Sequence, residues 1–303
     1  MLSFSFRSSG DVPFTNLPST QPYMSRSENA QLAVNMFQDL LNQHQWSAQE
    51  AWKGIAFLLM TCKRWVGRGY GWDSHHDVPT YREANDIGYT GSGNPNAYLR
   101  RGRDLKQYLA SSLGVDERNL CSKIGRFYDH PRIEDLQPHN LKGHAFRSIV
   151  VNYLKRFGDS GISYEEEVNP KDLFPGSSFS SLSKDPRVDI VAWRQASPVA
   201  LLSTRWGLRH DRMEVIQESE IYMNAAPQHC NFYPVLGEND VTRLEKVLRN
   251  SAPIMQGASI TATVHHCPEM VIHGIDFRGE RNAESRLTGI KDLSFLAQET
   301  NSW

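Results

Sequence analysis

The chain has 303 residues, of which 39% are hydrophobic and 22% charged, with a formal net charge of −1. This is the composition of one large or two smaller globular domains. No apolar run reaches the roughly eighteen residues of a membrane span, and the near-neutral charge gives no global basic signature of nucleic-acid binding, so any such role falls to local basic surfaces.

The first elements are helical. Residues 1–26 are rich in Ser and Pro and read as an irregular arm; the opening Met1-Leu2-Ser3-Phe4-Ser5-Phe6-Arg7 lacks the basic-then-apolar order of a signal peptide. Ser27 caps a helix expected over about 28–43, with Leu32, Met36, Leu40 and Leu41 on one face. Ser47 and Glu50 form a capping-box pattern before a second helix through Trp52, Ile55, Leu58, Leu59 and Cys62. The stretch 67–96 is too polar for a core, and another helix is expected over about 97–113. Its first turns carry Arg100, Arg101, Arg103 and Lys106, where the helix dipole disfavours cations unless an anion approaches. Residues 27–135 thus read as a helical N-terminal region, for recognition or dimerisation.

From about residue 136 helices and strands alternate. A helix over 141–157 places Leu141, Ala145, Phe146, Ile149, Val150, Tyr153, Leu154 and Phe157 at helical spacing, and Gly158 ends it. Strands follow near 162–168, 187–194 and 199–204, then a helix near 212–224, a strand near 230–236 and a helix near 239–249. A strand pair near 259–264 and 270–276 precedes a last helix over 288–298. The order implies an α/β core with a central mixed sheet flanked by helices. Cys62, Cys121, Cys230 and Cys267 are widely spread with no Cys-x-x-Cys pair, which fits reduced thiols in a cytoplasm and argues against a zinc ribbon; His265-His266-Cys267 reads as a strand or strand end.

The chemistry concentrates on two of these strands. Asp189 lies in Val188-Asp189-Ile190-Val191-Ala192-Trp193, and Ser203-Thr204-Arg205 ends the apolar strand Val199-Ala200-Leu201-Leu202. Alternation puts Ser203 and Arg205 on one face, so on neighbouring strands Asp189 and Arg205 meet at one end of the sheet. A carboxylate for a hard cation beside a positive group for phosphoryl charge suits metal-assisted phosphodiester cleavage. Four residues beyond Arg205 stand Arg209-His210-Asp211-Arg212. Arginine is bidentate to guanine O6 and N7, and aspartate accepts from cytosine N4.

Asp189 followed by Ser-x-cation and Arg-x-Asp-Arg resembles the PD-(D/E)xK nucleases, in the branch of type II restriction endonucleases whose second motif is Ser-x-Lys and which recognises CCGG-type sites. The motif resemblance covers roughly residues 141–222. It implies a restriction-endonuclease-like core over 136–303, Mg²⁺ as cofactor and double-stranded DNA as substrate. It assigns catalysis to Asp189, Ser203, Arg205 and Glu218, metal ligation to Asp189 with Glu218 or Glu220, and base reading to Arg209, Asp211 and Arg212. The further acid falls about fourteen residues after the cation; Ser219 stands there, flanked by Glu218, which is favoured, and Glu220. Glu165, Glu166 and Glu167 offer another carboxylate from a neighbouring strand. A palindromic site implies a homodimer, or a dimer of dimers.

This chain departs from the pattern twice. Arg205 stands for the lysine, keeping the charge but unable to act as a base, and Arg147 stands where the opening helix of the family carries glutamate. Three readings follow: an Mg²⁺-dependent site-specific endonuclease, a DNA-binding protein on the same fold with cleavage lost, and an unrelated α/β interaction module in which the arginine cluster is surface charge.

Overall fold

The computed structural model describes residues 26–59, 108, 110–114, 116, 138–179, 182, 186–208, 214–238, 240–272 and 282–303. The chain divides into two compact units: Met1–Ala145 with Phe277–Gly279, and Phe146–Asp276 with Glu280–Trp303. Among the described residues no helix is long and apolar enough to cross a membrane.

The first unit contains α1 (Arg26–His44) and α2 (Trp52–Leu59). Ala30, Val34, Phe37 and Leu41 are the buried stripe of α1, while Leu40 is half-buried. The face expected from the sequence omitted Phe37; of its members Leu41 is buried, and the side chains of Leu32 and Met36 lie outside the described residues. Glu50 accepts a hydrogen bond from the Ser47 hydroxyl at 3.1 Å, so the capping pair forms ahead of α2. Of the helix expected over 97–113, the described residues 108 and 110–113 are helical.

The second unit is built on a five-stranded mixed sheet. After α3 (Pro138–Phe157) come β1 (Ile162–Val168), the short α4 (Pro170–Leu173), β2 (Val188–Arg194) and β3 (Ser197–Arg205). Next are α5 (Glu214–Ala225), β4 (Asn231–Leu236), α6 (Val241–Leu248), β5 (Val264–His265), α7 (Pro268–Ile272), α8 (Ala283–Arg286) and α9 (Leu293–Glu299). The sheet order is β1-β2-β3-β4-β5. β1–β2 and β2–β3 are antiparallel, whereas β3–β4 and β4–β5 are parallel. The parallel pairs follow from helical crossovers, α5 between β3 and β4 and α6 between β4 and β5.

Burial explains the layering. Residues 199–204 of β3 and 232–236 of β4 are buried without interruption, as strands covered on both faces must be. β1 instead alternates along Ser-Tyr-Glu-Glu-Glu, the pattern of an edge strand. On α3, Phe146, Ile149, Val150, Tyr153 and Leu154 are fully buried. Its end is fixed at Gly158, where a Cβ would lie 2.7 Å from the Leu154 carbonyl oxygen.

The expected strand near 270–276 is not a strand where it is described: Pro268–Ile272 is helical. Proline opens that helix without losing a needed N–H, and a three-residue apolar run, Met270-Val271-Ile272, has no period with which to distinguish strand from helix. Of 259–264 only Val264 enters a strand, with Ile260 making a single bridge to Ser251.

Candidate active site

The site forms where β2, β3 and α5 converge. β2 and β3 pair with Ile190 opposite Leu202, which brings Asp189 alongside Ser203 and Thr204. The Asp189 carboxylate accepts the backbone N–H of Thr204 at 2.8 Å and Nη1 of Arg205 at 2.6 Å. Nη2 of Arg205 donates to Glu218 Oε1 at 2.5 Å, and the Ser203 hydroxyl donates to Glu218 Oε2 at 2.7 Å. One guanidinium therefore bridges two carboxylates, and Ser203 and Arg205 reach Glu218 from the shared face that strand alternation requires.

Asp189 and Glu218 side chains are 15% and 14% exposed and Arg205 27%, so the ion cluster is shielded but opens to solvent on the arginine side. Burial works against the charge on Arg205, yet Asp189 and Glu218 outweigh it and hold the guanidinium protonated more firmly than usual, with Glu214 adding to the field. Burial also raises the pKa of Glu218; Asp189 adds to that rise, while Arg205 and the Ser203 hydroxyl oppose it.

Asp189, Ser203, Arg205 and Glu218 are thus brought together. Glu220, the alternative acid, is exposed on α5; two residues from Glu218 it lies on the opposite side of the helix. Arg209, Asp211 and Arg212 lie outside the described residues. Two contributors escaped the sequence reading: the Thr204 N–H, a backbone group with no signature, and Glu214, one turn before Glu218 on α5.

Arg147 is buried and spent on β1. It pairs with Glu166 through Nε at 2.9 Å and with Glu167 through Nη1. The Ser148 hydroxyl adds 2.8 Å to Glu166. Glu167 falls between the pairs Glu166–Ile190 and Val168–Val188 and adopts a φ of +59°. A left-handed non-glycine residue is costly and must be held by its surroundings; Arg147 does so from α3. The β1 carboxylates and Arg147 form a second ion cluster beside the β2 strand.

Among the described residues no group of three or more His, Cys, Asp or Glu side chains is arranged to hold a metal ion. Mg²⁺ is commonly held by one or two carboxylates together with waters and substrate phosphates, and Asp189 and Glu218, which converge on Arg205, are a carboxylate pair of that kind.

No family model matches the chain, and no curated protein matches it. Among solved structures it is similar to a restriction endonuclease PspGI–substrate DNA complex, at 13% identity and a TM-score of 0.40 over 92% of each chain.

Proposed function

We propose that this protein is an Mg²⁺-dependent endonuclease that cleaves double-stranded DNA at a specific, G·C-containing palindrome of the CCGG kind. The observation that carries the reading is the Asp189–Arg205–Glu218 bridge at one end of the β2–β3 pair. Two shielded carboxylates and a cation that cannot lose its proton, at the rim of a sheet, answer the two demands of phosphodiester hydrolysis. Asp189 and Glu218 would hold the metal ion, which supplies Lewis-acid stabilisation of phosphoryl charge.

The chain's own residues do the rest. Arg205, drawn off Asp189 and Glu218 when they take the metal ion, would present its planar fork to a phosphate oxygen and neutralise charge in the transition state, but it does not serve as a base. Ser203 orients Glu218 through its hydroxyl, and the Thr204 N–H orients Asp189. Arg209, Asp211 and Arg212 follow directly in the chain and would read guanine and cytosine edges. A palindromic site calls for a two-fold homodimer, each subunit meeting one half-site.

A second reading is favoured by the same bridge. Arg205 already satisfies both carboxylates, which suits a sequence-specific DNA-binding protein that no longer cleaves. Binding of duplex DNA in Ca²⁺ at two salt concentrations tests both readings against an interaction module. Phosphate contacts release counterions, so affinity falls steeply with salt in both; no binding at low salt would rule both out.

A further inference from the structure

A nearly fully buried carboxylate among the described residues takes no part in this site. Glu238 follows β4 with its side chain 1% exposed, a placement that is costly unless the charge is matched. Its Oε2 accepts the N–H of Leu208 at 2.8 Å and lies 3.2 Å from Nη1 of Arg243. Its Oε1 accepts the N–H of Asp240 at 2.9 Å. Nη1 of Arg243 also donates to the Leu208 carbonyl at 2.6 Å. The Glu238 carbonyl in turn accepts from His265 Nε2 at 2.8 Å, a proton placed there because Nδ1 accepts the Cys267 N–H at 3.0 Å.

The N–H and the carbonyl of Leu208 belong to successive rigid peptide planes, so capturing both fixes the two dihedrals of that residue. The residues just before it are tied to the same loop. The Gly237 N–H donates to the Arg205 carbonyl at 2.8 Å. The Trp206 ring lies so close over Gly237 that a Cβ there would be 2.2 Å from it. Phe146 and His266 enclose the same ring, with centroids 5.6 and 5.2 Å away. The chain from Arg205 to Leu208 is therefore a strut anchored on 237–238 and on Arg243, and the peptide that leaves it carries the nitrogen of Arg209.

We propose that Glu238 and Arg243 are positioning residues for sequence recognition: they fix Leu208, which directly precedes the base-reading Arg209, Asp211 and Arg212 in the chain, against the phosphate-binding Arg205. The inference rests on the DNA-reading role given above.

The test is selection from a pool of duplexes with a randomised central segment, bound in Ca²⁺, using wild type, Glu238→Gln and Arg243→Lys. Arg243→Lys keeps a positive charge beside Glu238, and so the fold, while losing the rigid fork. Circular dichroism confirms folding. The expected result is that wild type enriches a G·C-containing palindrome and both variants enrich it about tenfold less, the scale of one lost base contact. Affinity for an unselected duplex stays within about twofold, because phosphate contacts carry it. Folded variants that enrich the motif as wild type does overturn the positioning role, as does an equal loss of specific and unselected binding. A wild-type chain that enriches nothing overturns the DNA-reading role beneath it.

Discussion

The guanidinium of Arg205 lies 2.6 Å from the carboxylate of Asp189, across the antiparallel β2–β3 pair. A divalent cation that takes Asp189 and Glu218 must displace this arginine, while a DNA phosphate draws it outward through the half-open side of the cluster. Arg205→Ala is therefore expected to raise the affinity of the DNA-free protein for Mn²⁺ about tenfold, roughly 1.4 kcal/mol, measured by titration calorimetry. The same variant loses affinity for DNA. Unchanged metal affinity would show that Arg205 does not compete for the carboxylates.

Arg205→Lys separates the two readings of the site. Lysine keeps the charge as a compact, mobile group that reaches a phosphate or a water without bridging both acids. In a chain whose cleavage has lapsed, Lys at 205 gains cleavage with DNA binding unchanged. In an active enzyme that uses the fork, it lowers kcat. Single-turnover cleavage of a cognate duplex distinguishes these outcomes.

Glu218 gives a signed pH dependence. Burial raises its pKa in the fold, so above the ordinary carboxylate range the folded chain binds more protons at this site than the unfolded chain. The contribution of the group to stability is then fully present at low pH and lost as pH rises through the folded value. Wild type should therefore lose Tm relative to Glu218→Gln as pH is raised from about the ordinary glutamate value of 4.3. A difference that is flat or grows in the other direction contradicts the assignment.

Gly237→Ala places a methyl group against the Trp206 ring, 2.2 Å from its nearest atom. Overpacking of this kind costs about 1–3 kcal/mol, and the ring moves at the residue next to Arg205. The near-UV dichroism of tryptophan should change and Tm should fall, with no such change in Gly143→Ala on α3, where a Cβ meets nothing within 4 Å.

Legible in the sequence were the features with a short-range signature. Strand alternation placed Ser203 and Arg205 together and the apolar runs located β2, β3 and β4, while the spacing that the family resemblance implies fell on Ser219 of α5, one residue from Glu218. What was not legible depends on long-range pairing. Arg147 meets Glu166 and Glu167 about twenty residues on, and Glu238 holds Leu208 thirty residues back; neither contact leaves a pattern in either segment. The helix at Pro268–Ile272 was missed because a run so short has no usable period.

Incubation of the purified chain with phage DNA in Mg²⁺, beside the same reaction with Asp189→Asn, decides whether the protein is a metal-dependent nuclease. Wild type is expected to give discrete fragments and the variant at least about a hundredfold less cleavage, since removing Asp189 takes away one of the two proposed metal carboxylates and a main partner of Arg205. Intact DNA in both reactions, or equal cleavage by the two proteins, would contradict the nuclease assignment.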